Sequence, residues 1–141
     1  MVPTKMGAIV QAQYRESLPN LTHDAIYITS EYDDSYNCIA WTFGIVDEWF
    51  EPGSLASVRE DYLARGFTDL PTGSAGADVD LMGKSVYYVT HAFKRYTGQR
   101  VVGMPNDLWE SKMSQGLRMT HARRDLVGNT YGDIIASFKA P

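Results

Sequence analysis

The chain has one cysteine, Cys38, so no internal disulfide can brace it, and a lone thiol gives no sign of an oxidising compartment. Histidine is scarce too. His23, His91 and His121 stand far apart, without the paired spacing of metal ligands, so no metal site and no cofactor is implied. Apolar runs such as Val86-Tyr87-Tyr88-Val89 are far too short to span a bilayer. The first residues carry a single lysine, Lys5, and lack the apolar core and cleavage site of a secretory signal. Export, if any, is therefore expected through a specialised system. Basic charge is in deficit: 13 Lys and Arg against 17 Asp and Glu give a formal charge of −4. Nucleic acid is excluded as the main partner, because phosphate binding needs a net basic face. Gly73-Ser74-Ala75-Gly76 lacks the Lys-Ser/Thr that completes a phosphate loop.

The content that is present belongs to a globular protein: 44% hydrophobic and 12% aromatic residues in 141. That length fits one domain, residues 1–141, able to bury roughly two-thirds of its unfolded surface. Asp24 to Thr29 predicts a short strand. Tyr32-Asp33-Asp34-Ser35 predicts a turn feeding a helix from Tyr36 to about Phe43, with Gly44 as its stop. After the break at Trp49–Gly53, Ser54 is a good N-cap for a second helix, with Leu55, Val58, Tyr62 and Leu63 as its apolar stripe and Gly66 just past its end. Residues 68–80 read as a loop, and Lys84 to Arg95 as one strand rich in β-branched and aromatic residues. Arg100–Val102, Leu108–Lys112 and Asp133–Phe138 predict further strands, and Met119–Leu126 a short helix. Helices followed by a mostly antiparallel sheet is an α+β plan.

Cys38 falls just inside the first of these helices, where unpaired N–H groups lower a thiol pKa and favour the nucleophilic thiolate. A thiol enzyme also needs a base in reach and a third polar group to orient it. His91, in the strand-like Tyr88–Phe93, is the best candidate base, with Asp133 its candidate orienter. Ser111, Glu110 and Asn106 remain open for the orienting role, and His121 is either a further member or structural. The N–H of Cys38 and the Asn37 side chain are candidate oxyanion donors. The bland alternative is that Cys38 is a small buried hydrophobe and His91 a satisfied core residue.

The segment Tyr36-Asn37-Cys38-Ile39-Ala40-Trp41 with Trp49, then Thr90-His91-Ala92, Trp109-Glu110-Ser111-Lys112, His121 and Tyr131-Gly132 resembles a family of small bacterial proteins with a papain-like Cys/His arrangement. The layout is also similar to TecA-type effectors, delivered by type VI secretion, which deamidate Rho-family GTPases with a Cys, His, Asp set. Cys38, His91 and Asp133 would correspond. An acidic residue expected before His121 is replaced here by Arg118-Met119-Thr120.

The resemblance implies a single papain-like or NlpC/P60-like domain, with N-terminal helices packed on the sheet. It implies a secreted effector or toxin, acting in the target-cell cytosol as a cysteine-dependent amide hydrolase. A glutamine or asparagine deamidase on a host Rho-family GTPase comes first; a cysteine protease or peptidoglycan amidase is the runner-up. An immunity or secretion-system protein is the further expected partner. The contrasting class is a non-catalytic binding or immunity domain.

Overall fold

Strands make the body of the protein. In the computed structural model, which describes residues 1–141, eight of them form one sheet. They are β1 (Thr4–Lys5), β2 (Tyr27–Ser30), β3 (Thr68–Leu70), β4 (Val79–Ser85), β5 (Tyr88–Arg95), β6 (Leu108–Lys112), β7 (Arg118–Ala122) and β8 (Asp133–Lys139). The order across the sheet is β1-β2-β7-β6-β5-β4-β8-β3, and every neighbouring pair is antiparallel. Helices are few and short: α1 (Ala8–Ser17), α2 (Cys38–Thr42) and α3 (Leu55–Ala64). No helix is long and apolar enough to cross a membrane.

This overturns the expected α+β, papain-like or NlpC/P60-like arrangement of N-terminal helices packed on a sheet. The protein is a mostly antiparallel β-sheet with short helices laid on it. Three local readings failed for physical reasons. Residues 84–95 are two strands, turned at Val86-Tyr87 without glycine, proline or asparagine to mark the turn. Residues 119–126 begin as β7 rather than a helix, because Met119, Thr120 and His121 are all buried, on both faces, and the strand shows no polar alternation. Residues 68–80 hold β3 and the start of β4 rather than a loop alone, while Arg100–Val102 stays outside the sheet.

The readings that match are those with local chemistry. Ser54 caps α3, its hydroxyl accepting from Ser57 N–H at 3.2 Å, and Gly66 follows the helix with φ +89°, which only glycine adopts freely. Asn37 caps α2 by accepting from Ala40 N–H at 3.1 Å, and Gly44 at φ +76° ends it.

Two apolar clusters cover the two faces of the sheet. One is built around Phe93, Trp109, Met119, Met82 and Leu126, with Val10 and Tyr14 of α1 packed on it. The other holds Ile39, Leu55, Val58 and Tyr62 of α2 and α3 against Val79, Leu81, Val89, Ala92 and Phe138. Through strand alternation, β5 sends His91 and Phe93 to the first face and Ala92 and Lys94 to the second. β5 and β6 pair only at Lys94–Glu110 and Arg95–Trp109, so their other ends part.

Candidate active site

The parting of β5 and β6 positions the site. Arg95 N–H donates to Asp78 on the β4 side, so the two-residue period turns the Ala92 N–H toward β6. No β6 carbonyl meets it there. Instead the Cys38 thiol, brought in by α2, faces the Ala92 N–H and those of Ile39 and Cys38 itself. Across the same gap the His91 imidazole bonds Ser111 of β6, Nε2 to Oγ, at 2.9 Å. Cys38 and His91 therefore both border the split, the thiol at the Ala92 N–H on one face and the imidazole at Ser111 on the other.

Ser111 continues the chain of bonds: its Oγ lies 2.6 Å from His121 Nε2. His121 Nδ1 lies 2.8 Å from the Ala122 carbonyl, and this contact fixes every proton in the row. A carbonyl only accepts, so Nδ1 of His121 carries the hydrogen and its neutral ring presents Nε2 as an acceptor. The Ser111 hydroxyl must then donate to His121 and accept from His91 Nε2–H. His91 is left with a bare lone pair on Nδ1, the atom a general base needs. Tyr131 stacks on the His91 ring at 4.3 Å between centroids and 14° between planes, and the Thr90 hydroxyl donates to the Tyr131 carbonyl at 2.5 Å. Gly132, at φ +87°, lets this segment pass against the Gly83 carbonyl, where a Cβ would collide.

Electrostatics set the resting state. Burial lowers the His91 pKa from 6.5 to about 3, with a smaller push from His121, whose own pKa burial also lowers. Burial pushes the Cys38 thiol up, and the facing N–H groups and the Lys112 ammonium only partly offset it. The expected low-pKa thiolate is thus replaced by a neutral thiol, and the imidazole across the split is neutral as well. α2 has five residues, and its dipole is too small to outweigh the desolvation.

Asp133 stands elsewhere. It opens β8, separated from β5 by β4, with an exposed carboxylate 3.2 Å from Arg124 Nη2 and 2.7 Å from its own Ile134 N–H. Of the alternatives, Ser111 and His121 are in place. Glu110 lies on the other face, paired with Arg118 at 3.1 Å, and Asn106 is exposed before β6. Asn37 is held in the cap: its amide donates to Phe50 O at 2.7 Å and its oxygen accepts from Ala40 and Phe50 N–H. Tyr131 is a member that reasoning from sequence did not assign, though its Tyr-Gly pair had marked the place. No group of three or more His, Cys, Asp or Glu residues is placed to hold a metal.

Fold and site define an antiparallel β-sheet protein with a helix-borne thiol at a strand split and a buried His–Ser–His row beneath it. The chain belongs to the family described as Domain of unknown function (DUF7689), whose model matches residues 27–139. No curated protein and no solved structure matches it.

Acid should destabilise the fold through His91. Its folded pKa lies below the unfolded 6.5, so the unfolded chain takes up a proton that the folded chain refuses. The contribution is whole above about pH 6.5 and shrinks as pH falls from there toward 3, by up to about 1.4 kcal/mol per pH unit. Urea unfolding of wild type and His91→Asn between pH 7 and 4.5 reads this directly: the variant should show the flatter dependence. Equal slopes would mean that His91 is protonated in the fold.

Proposed function

We propose that this protein is a cysteine-dependent amide hydrolase. The observation that carries the reading is the one-way row from the Ala122 carbonyl through His121 and Ser111 to His91, which leaves the Nδ1 lone pair free on the residue next to Ala92, whose N–H the thiol faces. As sulfur attacks a carboxamide carbon, the thiol proton passes to His91 Nδ1. The N–H groups of Cys38 and Ile39, which lie at the sulfur, are the donors this scheme assigns to the developing oxyanion. His91 returns the proton to the departing nitrogen, releasing ammonia or an amine and leaving a thioester. Water then adds, deprotonated by the same nitrogen, and the carboxylic acid and free thiol are restored. Ser111 and His121 are positioning residues in this scheme.

A protein glutamine or asparagine is the substrate class proposed, and the resemblance to effectors makes host Rho-family GTPases the first to test, with delivery by specialised secretion into the target cell. Intact mass after incubation decides the reaction: a gain of about one dalton, the change from NH2 to OH, is deamidation, and fragments are proteolysis. No change in any GTPase and no release from peptidoglycan would sink the hydrolase reading.

Two further outcomes follow. Iodoacetamide labelling of Cys38 should be slow at pH 7 and rise only in alkali, because the thiol rests neutral. Fast labelling below pH 7 would show an ion pair instead. Ser111→Ala leaves His91 Nε2–H and His121 Nε2 without their partner, costing about 2 kcal/mol of stability. Turnover should fall about 10- to 100-fold as the imidazole loses its orientation. Nitrogen-15 spectra should show the Nε2–H tautomer for His91 in wild type and a mixture in the variant.

A further inference from the structure

On the α2 side of the sheet, Lys94, Glu110 and Arg118 rise from three adjacent strands beneath the Trp41 ring. The Lys94 ammonium lies 4.0 Å and the Arg118 guanidinium 3.8 Å from that ring's centroid. Together with Thr29 and Thr97 they line a cavity of about 160 Å³, the space of about five waters.

The charges in this cavity are unequally committed. Arg118 gives Nε to Glu110 at 3.1 Å, Nη1 to the Tyr36 hydroxyl at 3.0 Å and Nη2 to Thr29 O at 3.5 Å. Glu110 is thereby neutralised. Lys94 has no such partner: its ammonium makes no hydrogen bond or ion pair with the protein and rests only on the indole. The Trp41 Nε1–H is buried and also has no acceptor. Lys94 thus lines a small cavity with its charge unmatched by any protein acceptor, beside an indole whose N–H is also unpaired.

We propose that this cavity is a binding site for a carboxylate group, held by the Lys94 ammonium against the Trp41 ring. A monoanion balances the one uncompensated cation. A dianion such as phosphate would bring a second negative charge with no second uncompensated cation to meet it. Burial lowers the Lys94 pKa, and an anion in the cavity would reverse that shift. Since Trp41 is one helical turn from Cys38, an acidic group bound here would lie close to the split, but carboxylate binding does not depend on the thiol's chemistry.

The test is titration of the whole protein with N-acetylglutamate α-amide (Ac-Glu-NH2), which carries a single carboxylate, following the indole N–H signals by NMR, with Trp41→Phe assigning the resonance. Saturable movement of the Trp41 signal is expected. The neutral N-acetylglutamine α-amide (Ac-Gln-NH2) should bind at least about tenfold more weakly, as should N-acetylglutamate α-amide to Lys94→Gln, since each lacks one charge-assisted contact. Lys84→Gln, on an exposed residue away from the cavity, should behave as wild type. A C-terminally amidated peptide with one internal glutamate and a peptide whose only carboxylate is its terminus separate the two sources of that group. Failure of the Trp41 signal to move, equal binding of the neutral amide, undiminished binding to Lys94→Gln, or tighter binding of inorganic phosphate each overturns the assignment.

Discussion

Replacing Cys38 by alanine is expected to lower amide hydrolysis by at least about 10³-fold, the scale on which losing a nucleophile acts. Folding should be nearly untouched. Cys38 as a residue is only partly buried, although its sulfur is desolvated; it lies at the margin of the cluster formed by α2 and α3, and alanine keeps the Cβ and suits a helix. The stability cost should stay below about 1 kcal/mol. Serine should not rescue activity: its hydroxyl is a far weaker acid than the thiol, and the neutral His91 is a weak base. Turnover assays and urea unfolding on the same preparations separate the two classes of protein. An alanine variant that keeps its function and loses stability would make Cys38 a packing residue and leave the binding-domain reading.

The largest loss of stability is expected at a residue outside the proposed chemistry, at Asp80→Ala. Asp80 is fully buried in β4, and Arg123 grips its carboxylate with Nε at 2.7 Å and Nη2 at 2.8 Å while the Ser137 hydroxyl donates at 2.7 Å. Arg123 also donates to Ser74 O at 2.9 Å and lies over the Trp109 ring, so one guanidinium ties the loop before β4 to β4 and, through Ser137, to β8. Alanine would strand that cation, only 20% exposed, without a counter-charge. Breaking such a pair costs about 3–5 kcal/mol, a large part of the 5–15 kcal/mol that holds a typical domain. The double change Asp80→Ala with Arg123→Met removes both charges and should recover a good part of it. Urea midpoints for the single and double variants give the comparison; an unchanged midpoint for the single variant would mean that the pair contributes nothing.

What could be read from the sequence was what a few neighbouring residues decide. Ser54 and Gly66 bracket α3 by themselves, Asn37 and Gly44 bracket α2, and the apolar run after Asp133 makes β8. α1 escaped notice because Gly7 caps it without a side-chain bond and only Gln11 of its residues is buried. β7 escaped because a strand buried on both faces loses the alternation that would identify it. In the site, Cys38 and His91 stood out through their chemistry. Ser111 over Asp133 could not be chosen in advance, because the choice depends on which strands flank β5. β6 lies on one side; β4 keeps β8 at a distance on the other.

The order of the strands also constrains how the protein can be made. β8, residues 133–139, runs between β4 and β3, and β2 waits for β7 across some ninety residues of chain. During synthesis, the strands already outside the ribosome cannot close the sheet until β8 emerges. Until then β4 and β3 present open edges to other chains. Such distant pairings form slowly. For a nascent chain, the period of greatest exposure to aggregation therefore falls late, just before the final strand is delivered.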